Sequence, residues 1–329
     1  MKDILLLLSH YPSSENTRDQ LTQLLLEVRD WPSFVNLINS HGIIALAAYN
    51  IKAAQLEPSV PHDAMTILEN GYRKSMIRNL WLAERWKEVN SILEAAGIKH
   101  ILLKGMALEH TIYESKGLRQ MTDTDILIKR EEAERAWELL QKNGFKTGLQ
   151  KSSLHRKILM EYAQHLPTLY KDGYILEIHV RLFDEIKSDL KSYNEIFDQA
   201  PEIRIGQNIA FLLPEDIQIK YLVKHFNRHA LAGECQLRLY TDIKMLDPQN
   251  SLEFPDDFIP DPVQRYKIQN KKAIYRENIR TVPAAYRLRF IAGDLLPSIS
   301  WMKSRYNCSA LKTIIYYPHR LGKIIWLFT

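Results

Sequence analysis

The sequence predicts an α+β fold in which a small mixed β-sheet is flanked in the chain by helical regions. Residues 1–97 and 214–329 carry apolar side chains mostly at three- and four-residue spacing, which is typical of helices. Residues 98–213 contain short apolar runs of strand length, separated by turns that contain glycine. A chain of 329 residues can form two or three domains. We therefore expect an N-terminal helical region, an α/β core and a C-terminal helical region with these boundaries.

Composition limits the class of protein. Hydrophobic residues make up 46% of the chain and charged residues 25%, which is ordinary for a globular protein in water. The formal net charge of +5 is compatible with a polyanionic ligand, although it is also common in proteins that bind no anion. Cys235 and Cys308 lack metal-type spacing, which argues against a zinc site or a disulfide framework. We therefore expect a cytoplasmic protein.

The ends of the chain carry short apolar runs. The run from residue 4 to 8 is too short for a signal peptide and follows Asp3, so it predicts a short amphipathic helix. Residues 324–328 are too few to cross a bilayer, and we expect no transmembrane segment. This tail either contacts a membrane surface peripherally or packs as a helix on its own domain, and we favour the second interpretation. The basic residues near the tail are Lys312, Arg320 and Lys323.

Helix and strand signals follow in order along the chain. Pro61 is suited to a first helical turn and Gly97 to a helix end, so a long helix is predicted between them. The next elements alternate: a strand at 98–103, a helix at 105–113, a strand at 123–129 and a helix at 131–143. Asp172-Gly173 predicts a type I′ hairpin turn between strands at 165–171 and 174–181.

The remaining segments are an edge strand followed by helices. We expect the edge strand at 204–213 and helices at 215–232, 237–246 and within 283–329. Residues 248–262 include four prolines and are interpreted as a loop, and residues 265–280 as a solvated helix.

Two carboxylates enter the second strand. Asp123 and Asp125 are one residue apart in Met121-Thr-Asp-Thr-Asp-Ile-Leu-Ile128, so a strand places them on one face. Like charges that close repel unless a cation lies between them, which predicts a metal ion. The alternative is that one of the two acids faces solvent or caps the strand.

Glu177 is the third acid of the predicted metal site. It lies within the apolar run Ile175-Leu-Glu-Ile-His-Val180, and its alternative interpretation is the wet face of an edge strand. If the two strands are neighbours, three carboxylates offer the oxygen ligands that Mg²⁺ prefers.

Lys104-Gly105 and Arg119 are candidate phosphate ligands. The Lys104-Gly105 pair lies where a strand turns into a helix, and the exposed N–H groups of a helix start favour an anion. Glycine at this position is also common for backbone geometry alone. Arg119 either clamps phosphate bidentately or forms an ion pair with Asp123 or Glu114.

Histidines accompany these motifs. His179 shares a face with the acid two residues before it, so it binds substrate, orients the carboxylate or is a half-buried structural histidine. His225 and His229 lie on one helix face, which we interpret as lining a cleft. Arg238 and Asp242 have the spacing of an i,i+4 ion pair.

Together, these motifs resemble the DNA polymerase beta-like nucleotidyltransferase superfamily, and in particular a bacterial branch of nucleotidyltransferases. The resemblance covers about residues 90 to 250. Its motifs here are Leu103-Lys104-Gly105, Arg119, Asp123-Thr-Asp125, Glu177-Ile178-His179, His225, His229, Arg238 and Asp242-Ile243.

The resemblance implies a function and a set of site residues. It implies Mg²⁺-dependent (or Mn²⁺-dependent) transfer of a nucleoside monophosphate from a nucleoside triphosphate (NTP) to an unidentified acceptor. Asp123, Asp125 and Glu177 would be the catalytic metal ligands. The substrate-binding residues would be Lys104, Gly105, Arg119 and His179.

One departure from the superfamily pattern motivates an alternative function. The Gly-Ser helix start that binds nucleotide phosphates in the superfamily is replaced here by Lys104-Gly105-Met106. The alternative is a non-catalytic accessory protein that binds a nucleotide or phosphate in a biosynthetic pathway. Binding to nucleic acid through the basic residues 267–280 is a further interpretation, and a solvated basic face explains them better.

Overall fold

The α+β fold class is confirmed by a computed structural model. It describes residues 2–10, 18–183, 190–232, 236–254, 271–280 and 282–328, and within these residues the strands form one mixed sheet among many helices. The predicted three-part division of the chain stays a prediction.

Helices form the N-terminal region as predicted. The helix α3 begins after Asp30, whose carboxylate accepts a hydrogen bond from the Ser33 N–H at 3.1 Å and so caps the helix. The long helix α5 follows Pro61, and Gly97 adopts a φ of +68° just beyond its end. The helices are α1 (Lys2–Ser9), α2 (Arg18–Leu26), α3 (Trp31–Ser40), α4 (Ile44–Ala53), a 3-10 turn (Glu57–Ser59) and α5 (His62–Ala95).

The central region alternates strands and helices. Strand β2 begins at Thr124, so the predicted strand start at Asp123 lies one residue too early. The elements are β1 (His100–Leu103), α6 (Lys104–Glu109), β2 (Thr124–Ile128), α7 (Arg130–Lys142), β3 (Lys146–Thr147), α8 (Ser153–Tyr162), β4 (Leu169–Lys171), β5 (Tyr174–His179), α9 (Leu190–Asp198), β6 (Glu202–Ile205) and β7 (Asn208–Leu212).

The sheet has the strand order β3-β4-β5-β2-β1-β7-β6 among the described residues. The hairpin prediction is confirmed: Lys171 pairs with Tyr174, and Asp172 and Gly173 both have positive φ, as a type I′ turn requires. The edge strand predicted at 204–213 is present as two short strands rather than one. Two antiparallel strands, β6 and β7, occupy this region, because Gly206 turns the chain with a φ of +64°.

The C-terminal region is helical. The predicted bounds of α10 and α11 are confirmed, and part of the predicted loop, residues 255–262, lies outside the described residues. Within the described ranges no single helix is long and apolar enough to cross a membrane; α3 and α4 meet that test only when counted together across a bend of 117°. The helices are α10 (Glu215–Ala232), α11 (Leu237–Leu246), α12 (Lys271–Arg280), α13 (Ala284–Leu295), α14 (Ile299–Tyr306) and α15 (Thr313–Phe328).

The chain folds into two compact units, each built from three chain segments. Unit 1 comprises Met1–Glu88, Leu102–Thr124 and Pro201–Gln269, and unit 2 comprises Val89–Ile101, Asp125–Ala200 and Asn270–Thr329. The core of unit 1 joins side chains from its N-terminal helices with side chains from α10 and α11, including Leu46, Phe226 and Ile243. Unit 2 contains a smaller apolar cluster of Ile158, Val282 and Phe290.

Candidate functional site

Two carboxylates and an imidazole meet in unit 2, on the neighbouring strands β2 and β5. Asp125 lies in β2, and Glu177 and His179 alternate with apolar residues in β5, so both project from one face. The Nε2 atom of His179 is 2.8 Å from Oδ1 of Asp125 and 3.7 Å from Oε2 of Glu177. One candidate ligand atom from each of the three residues lies within 4.8 Å of the other two. We refer to these residues as the carboxylate–imidazole group.

The burial of the carboxylate–imidazole group suits ion binding. The side chains of Asp125 and His179 are each 6% exposed, whereas that of Glu177 is 25% exposed and so reaches solvent. An ionised carboxylate only accepts hydrogen bonds, so an ionised Asp125 requires the proton on Nε2 of His179 in this bond. The sequence predicted His179 as an orienter of the Glu177 carboxylate, whereas its hydrogen bond here is to Asp125, and that role stays a prediction. Two carboxylates this close repel each other, and a bound cation lowers that cost.

Asp123 has a different setting. It precedes β2, is half-buried, and accepts a hydrogen bond from the Thr122 hydroxyl at 3.2 Å. The metal-type group found among the described residues does not include it. Its predicted role as a metal ligand stays a prediction.

A buried ion pair in unit 1 holds Arg119. The guanidinium donates from Nε to both carboxylate oxygens of Asp242, at 3.0 and 3.1 Å, and from Nη2 to Oδ2 at 2.8 Å. The Tyr113 hydroxyl also donates to Oδ1, at 2.9 Å. Burial opposes the charge on Arg119, but the contact with Asp242 raises the pKa of this guanidinium overall.

The partner of Arg119 was missed by the sequence predictions. Neither Asp123 nor Glu114 fills this place, and Asp242, which was predicted to pair with Arg238, pairs with Arg119 instead. The partners are 123 residues apart, so helical spacing carried no signal for the pair. The phosphate-binding role of Arg119 stays a prediction.

Gly105 packs against the same arginine. A Cβ atom at this position would lie 2.5 Å from Nη1 of Arg119 and 2.8 Å from Sδ of Met121, which is closer than real contacts allow. The absence of a side chain at Gly105 is therefore explained by the packing of Arg119, with or without a ligand.

Lys104 begins the short helix α6 in an unusual conformation. Its φ of +46° lies in the left-handed region, which costs a lysine roughly 1–2 kcal/mol. Its ammonium lies 6.0 Å from the ring centre of Tyr221, which is at the limit of a cation–π contact.

Arg238, His229, Lys104 and Arg228 make up a cationic cluster in unit 1. Burial, and then the charges of Lys104, Arg238 and Arg228, lower the pKa of His229 to about 4. Burial, and then the charge of Arg119, lower the pKa of Arg238 to about 10, against the attraction of Asp242 and Asp123. Such mutual repulsion favours an anionic ligand. The predicted cleft-lining role of His229 stays a prediction.

The donors of Arg238 meet neutral oxygens. Its guanidinium donates to the backbone carbonyl of Gln120 and, at 2.8 Å, to the side-chain carbonyl of Gln236. Its charge is thus held by dipoles, and no carboxylate among the described residues bonds to it directly.

Comparison with known proteins identifies the family. A family model described as an uncharacterised nucleotidyltransferase matches residues 27–270, which is well over half of the chain. No curated protein and no solved structure matches the chain significantly. The family supports nucleotidyl transfer as the general chemistry and a nucleotide as a substrate. The chain therefore belongs to this nucleotidyltransferase family, as its motifs predicted.

Proposed function

We propose that the protein transfers a nucleoside monophosphate from an NTP to an acceptor in a reaction that depends on Mg²⁺ or Mn²⁺. The carboxylate–imidazole group supports this proposal most directly, because it brings two oxygen-ligand side chains together within 4.8 Å. Family membership supports nucleotidyl transfer in general, and the carboxylates of Asp125 and Glu177 are the reason for proposing metal dependence.

The donor atoms fit a hard divalent cation. Carboxylate oxygens are preferred by Mg²⁺ and Mn²⁺, and the exposed part of Glu177 leaves room for water and phosphate oxygens. Asp125 and Glu177 would hold the ion, with Asp123, two residues before Asp125 in the chain, as the proposed third ligand. A bound ion would neutralise phosphate charge and polarise the reacting phosphoryl group.

His179 positions the aspartate in this proposal. Its Nε2–H bond to Asp125 fixes one oxygen of that carboxylate and directs the other toward a ligand. Fixing the carboxylate in advance lowers the reorganisation that ion binding requires.

The cationic cluster is the proposed site for the triphosphate. Four positive or protonatable side chains lie in this cluster, and neighbouring positive charges lower the pKa of two of them, His229 and Arg238. A polyanion would relieve this repulsion. Lys104 keeps its predicted role as a phosphate ligand. We propose Arg238, rather than Arg119, as the arginine that binds phosphate, because Arg119 is already paired with Asp242.

Metal binding tests the proposal through Asp125→Asn and Glu177→Gln. Both substitutions remove a charge but keep size, and Asn still accepts the His179 hydrogen bond. Calorimetric titration with Mn²⁺ and then with NTP should show affinities at least tenfold weaker in both variants, with unchanged thermal unfolding. Glu138→Gln, on the exposed side of α7, is the matched control and should bind as the wild type does. Equal Mn²⁺ affinity in all four proteins would refute the metal site.

A second measurement separates the enzyme from a non-catalytic accessory protein. The Lys104-Gly105-Met106 helix start, which lacks the hydroxyl expected in the superfamily, favours this alternative. Labelled NTP, Mn²⁺ and a cell extract should give pyrophosphate and a labelled product with the wild-type protein. Metal-dependent NTP binding without either product would support the accessory role.

A further inference from the structure

The positive charge of the chain is concentrated at its C-terminal end. Residues 271–329 contain eleven Lys and Arg against two Asp and Glu, which gives a formal charge of +9. The whole chain carries +5, so residues 1–270 carry −4. The family match ends at residue 270, and this basic segment therefore lies outside it. Such an asymmetry predicts a separate anionic partner.

Helix α15 exposes an apolar stripe. Ile314, Pro318 and Leu321 follow each other at four- and three-residue spacing, so they share one helix face, and all three are exposed. Ile315 adjoins this stripe and is 73% exposed, and Leu311, just before the helix, is 81% exposed. We refer to Leu311, Ile314, Ile315, Pro318 and Leu321 together as the apolar stripe.

Another side of α15 is anchored to its own unit. Nη2 of Arg320 lies 3.1 Å from Oδ1 of the buried Asp294, and its Nε donates to the Asp294 carbonyl at 2.6 Å. The Tyr317 hydroxyl donates to the Pro297 carbonyl at 2.6 Å. Arg320, which the sequence placed near a candidate membrane contact, is therefore used inside the protein. The packing of α15 leaves the apolar stripe on the outside of the described structure.

A basic groove lies beside the apolar stripe. It has a volume of about 640 Å³, and its lining includes the ammonium-bearing Lys303 from α14 and Lys312, next to Leu311. Its described lining residues include no Asp or Glu. The hydroxyl groups in the groove belong to Ser300, Ser304, Ser309 and Tyr316.

We propose that the α14–α15 face binds the surface of an anionic phospholipid bilayer. The apolar stripe would enter the boundary between headgroups and acyl chains, and Lys303 and Lys312 would meet lipid phosphates. An exposed apolar helix face flanked by lysines is the arrangement that binds a membrane interface. The charge of +9 selects an anionic surface over a second copy of this basic segment, which would repel it.

Vesicle sedimentation with the full chain tests this proposal. The protein should bind mixed phosphatidylcholine–phosphatidylglycerol vesicles, bind phosphatidylcholine vesicles much more weakly, and lose binding as salt rises. The Ile314→Ser/Ile315→Ser variant should bind at least tenfold more weakly, because two apolar side chains no longer leave water. Lys303→Gln and Lys312→Gln should each weaken binding about fivefold.

Control variants distinguish lipid binding from misfolding and from self-association. Leu26→Ser, at a leucine that is 72% exposed in unit 1, should leave vesicle binding unchanged. Thermal unfolding checks that each variant is folded. If the isoleucine variant does not fold, the two lysine variants still test the proposal. Equal binding by all variants, or no preference for phosphatidylglycerol, would overturn it. So would a wild-type dimer that ignores vesicles and becomes a monomer in the Ile314→Ser/Ile315→Ser variant.

Discussion

Arg119 and Arg238 are two arginines of unit 1 that solve the problem of a buried charge in opposite ways. Arg119 bonds to both oxygens of Asp242, and that contact raises the pKa of its guanidinium overall. Arg238 bonds to neutral carbonyl oxygens, and burial and Arg119 lower its pKa to about 10. The sequence favoured Arg119 as the phosphate ligand, yet the geometry gives it a structural partner.

The difference teaches that a charge can serve a ligand only when the fold does not already neutralise it. Removing one member of a buried ion pair destabilises the fold mainly because the other charge is then buried without a partner. A buried charge that bonds only to neutral dipoles lowers the stability of the fold, and it remains available to bind an anion.

Substitution of Arg119 should have the largest effect on stability. Arg119→Met leaves the Asp242 carboxylate buried without its cation, which should lower the free energy of unfolding by about 3–5 kcal/mol in urea denaturation. Adding Asp242→Leu and Tyr113→Phe, which remove the stranded polar groups, should restore most of that loss. Lys220→Met, which breaks an exposed pair with Asp216, should cost less than about 1 kcal/mol. An unchanged stability of Arg119→Met would contradict the structural role of this arginine.

Substitution of Arg238 should show the reverse pattern. Arg238→Met removes a charge that its neighbours repel, so the free energy of unfolding should change by less than about 1 kcal/mol. The affinity for NTP should fall about 10- to 100-fold, because a charged hydrogen-bond donor to phosphate is worth roughly 1.5–3 kcal/mol. Calorimetric NTP titration beside urea denaturation measures both quantities. A large loss of stability with intact NTP affinity would remove the distinction between the two arginines.

Acidification should destabilise the protein through the buried His229 of the cationic cluster. Burial lowers the pKa of His229 from 6.5 to about 4, so the unfolded chain takes up the proton first as pH falls. The stabilising contribution is complete above pH 6.5 and is lost between pH 6.5 and about 4, on the order of 3 kcal/mol in all. His229→Gln should flatten this part of the profile of unfolding free energy against pH, and the exposed His62→Gln should not. Identical profiles for the two variants would exclude a buried neutral His229.

The sequence located most elements but not their spatial neighbours. The bounds of α10 and α11 and the Asp172-Gly173 turn followed from helical spacing and turn chemistry, which act over a few residues. The β6–β7 hairpin was missed, because Gly206-Gln207 is a weaker turn signal than Asp-Gly.

The candidate site divides in the same manner. The shared face of Glu177 and His179 is a consequence of strand periodicity, and the sequence contained it. The proximity of both residues to Asp125 depends on β5 lying next to β2 in the sheet. In the chain, by contrast, β2 directly follows β1. The spacing of residues along the chain does not show which strands are neighbours in the sheet.

The sequence by itself determined the family motifs, the carboxylates at Asp125 and Glu177, and the local helices and strands, because short-range backbone and side-chain preferences decide these. The tertiary structure decided which charges meet: Asp242 neutralises Arg119, His179 binds Asp125, and Arg320 is turned inward to Asp294. The physical reason is that desolvation makes a buried charge costly without a partner, and only the folded chain brings a partner within reach.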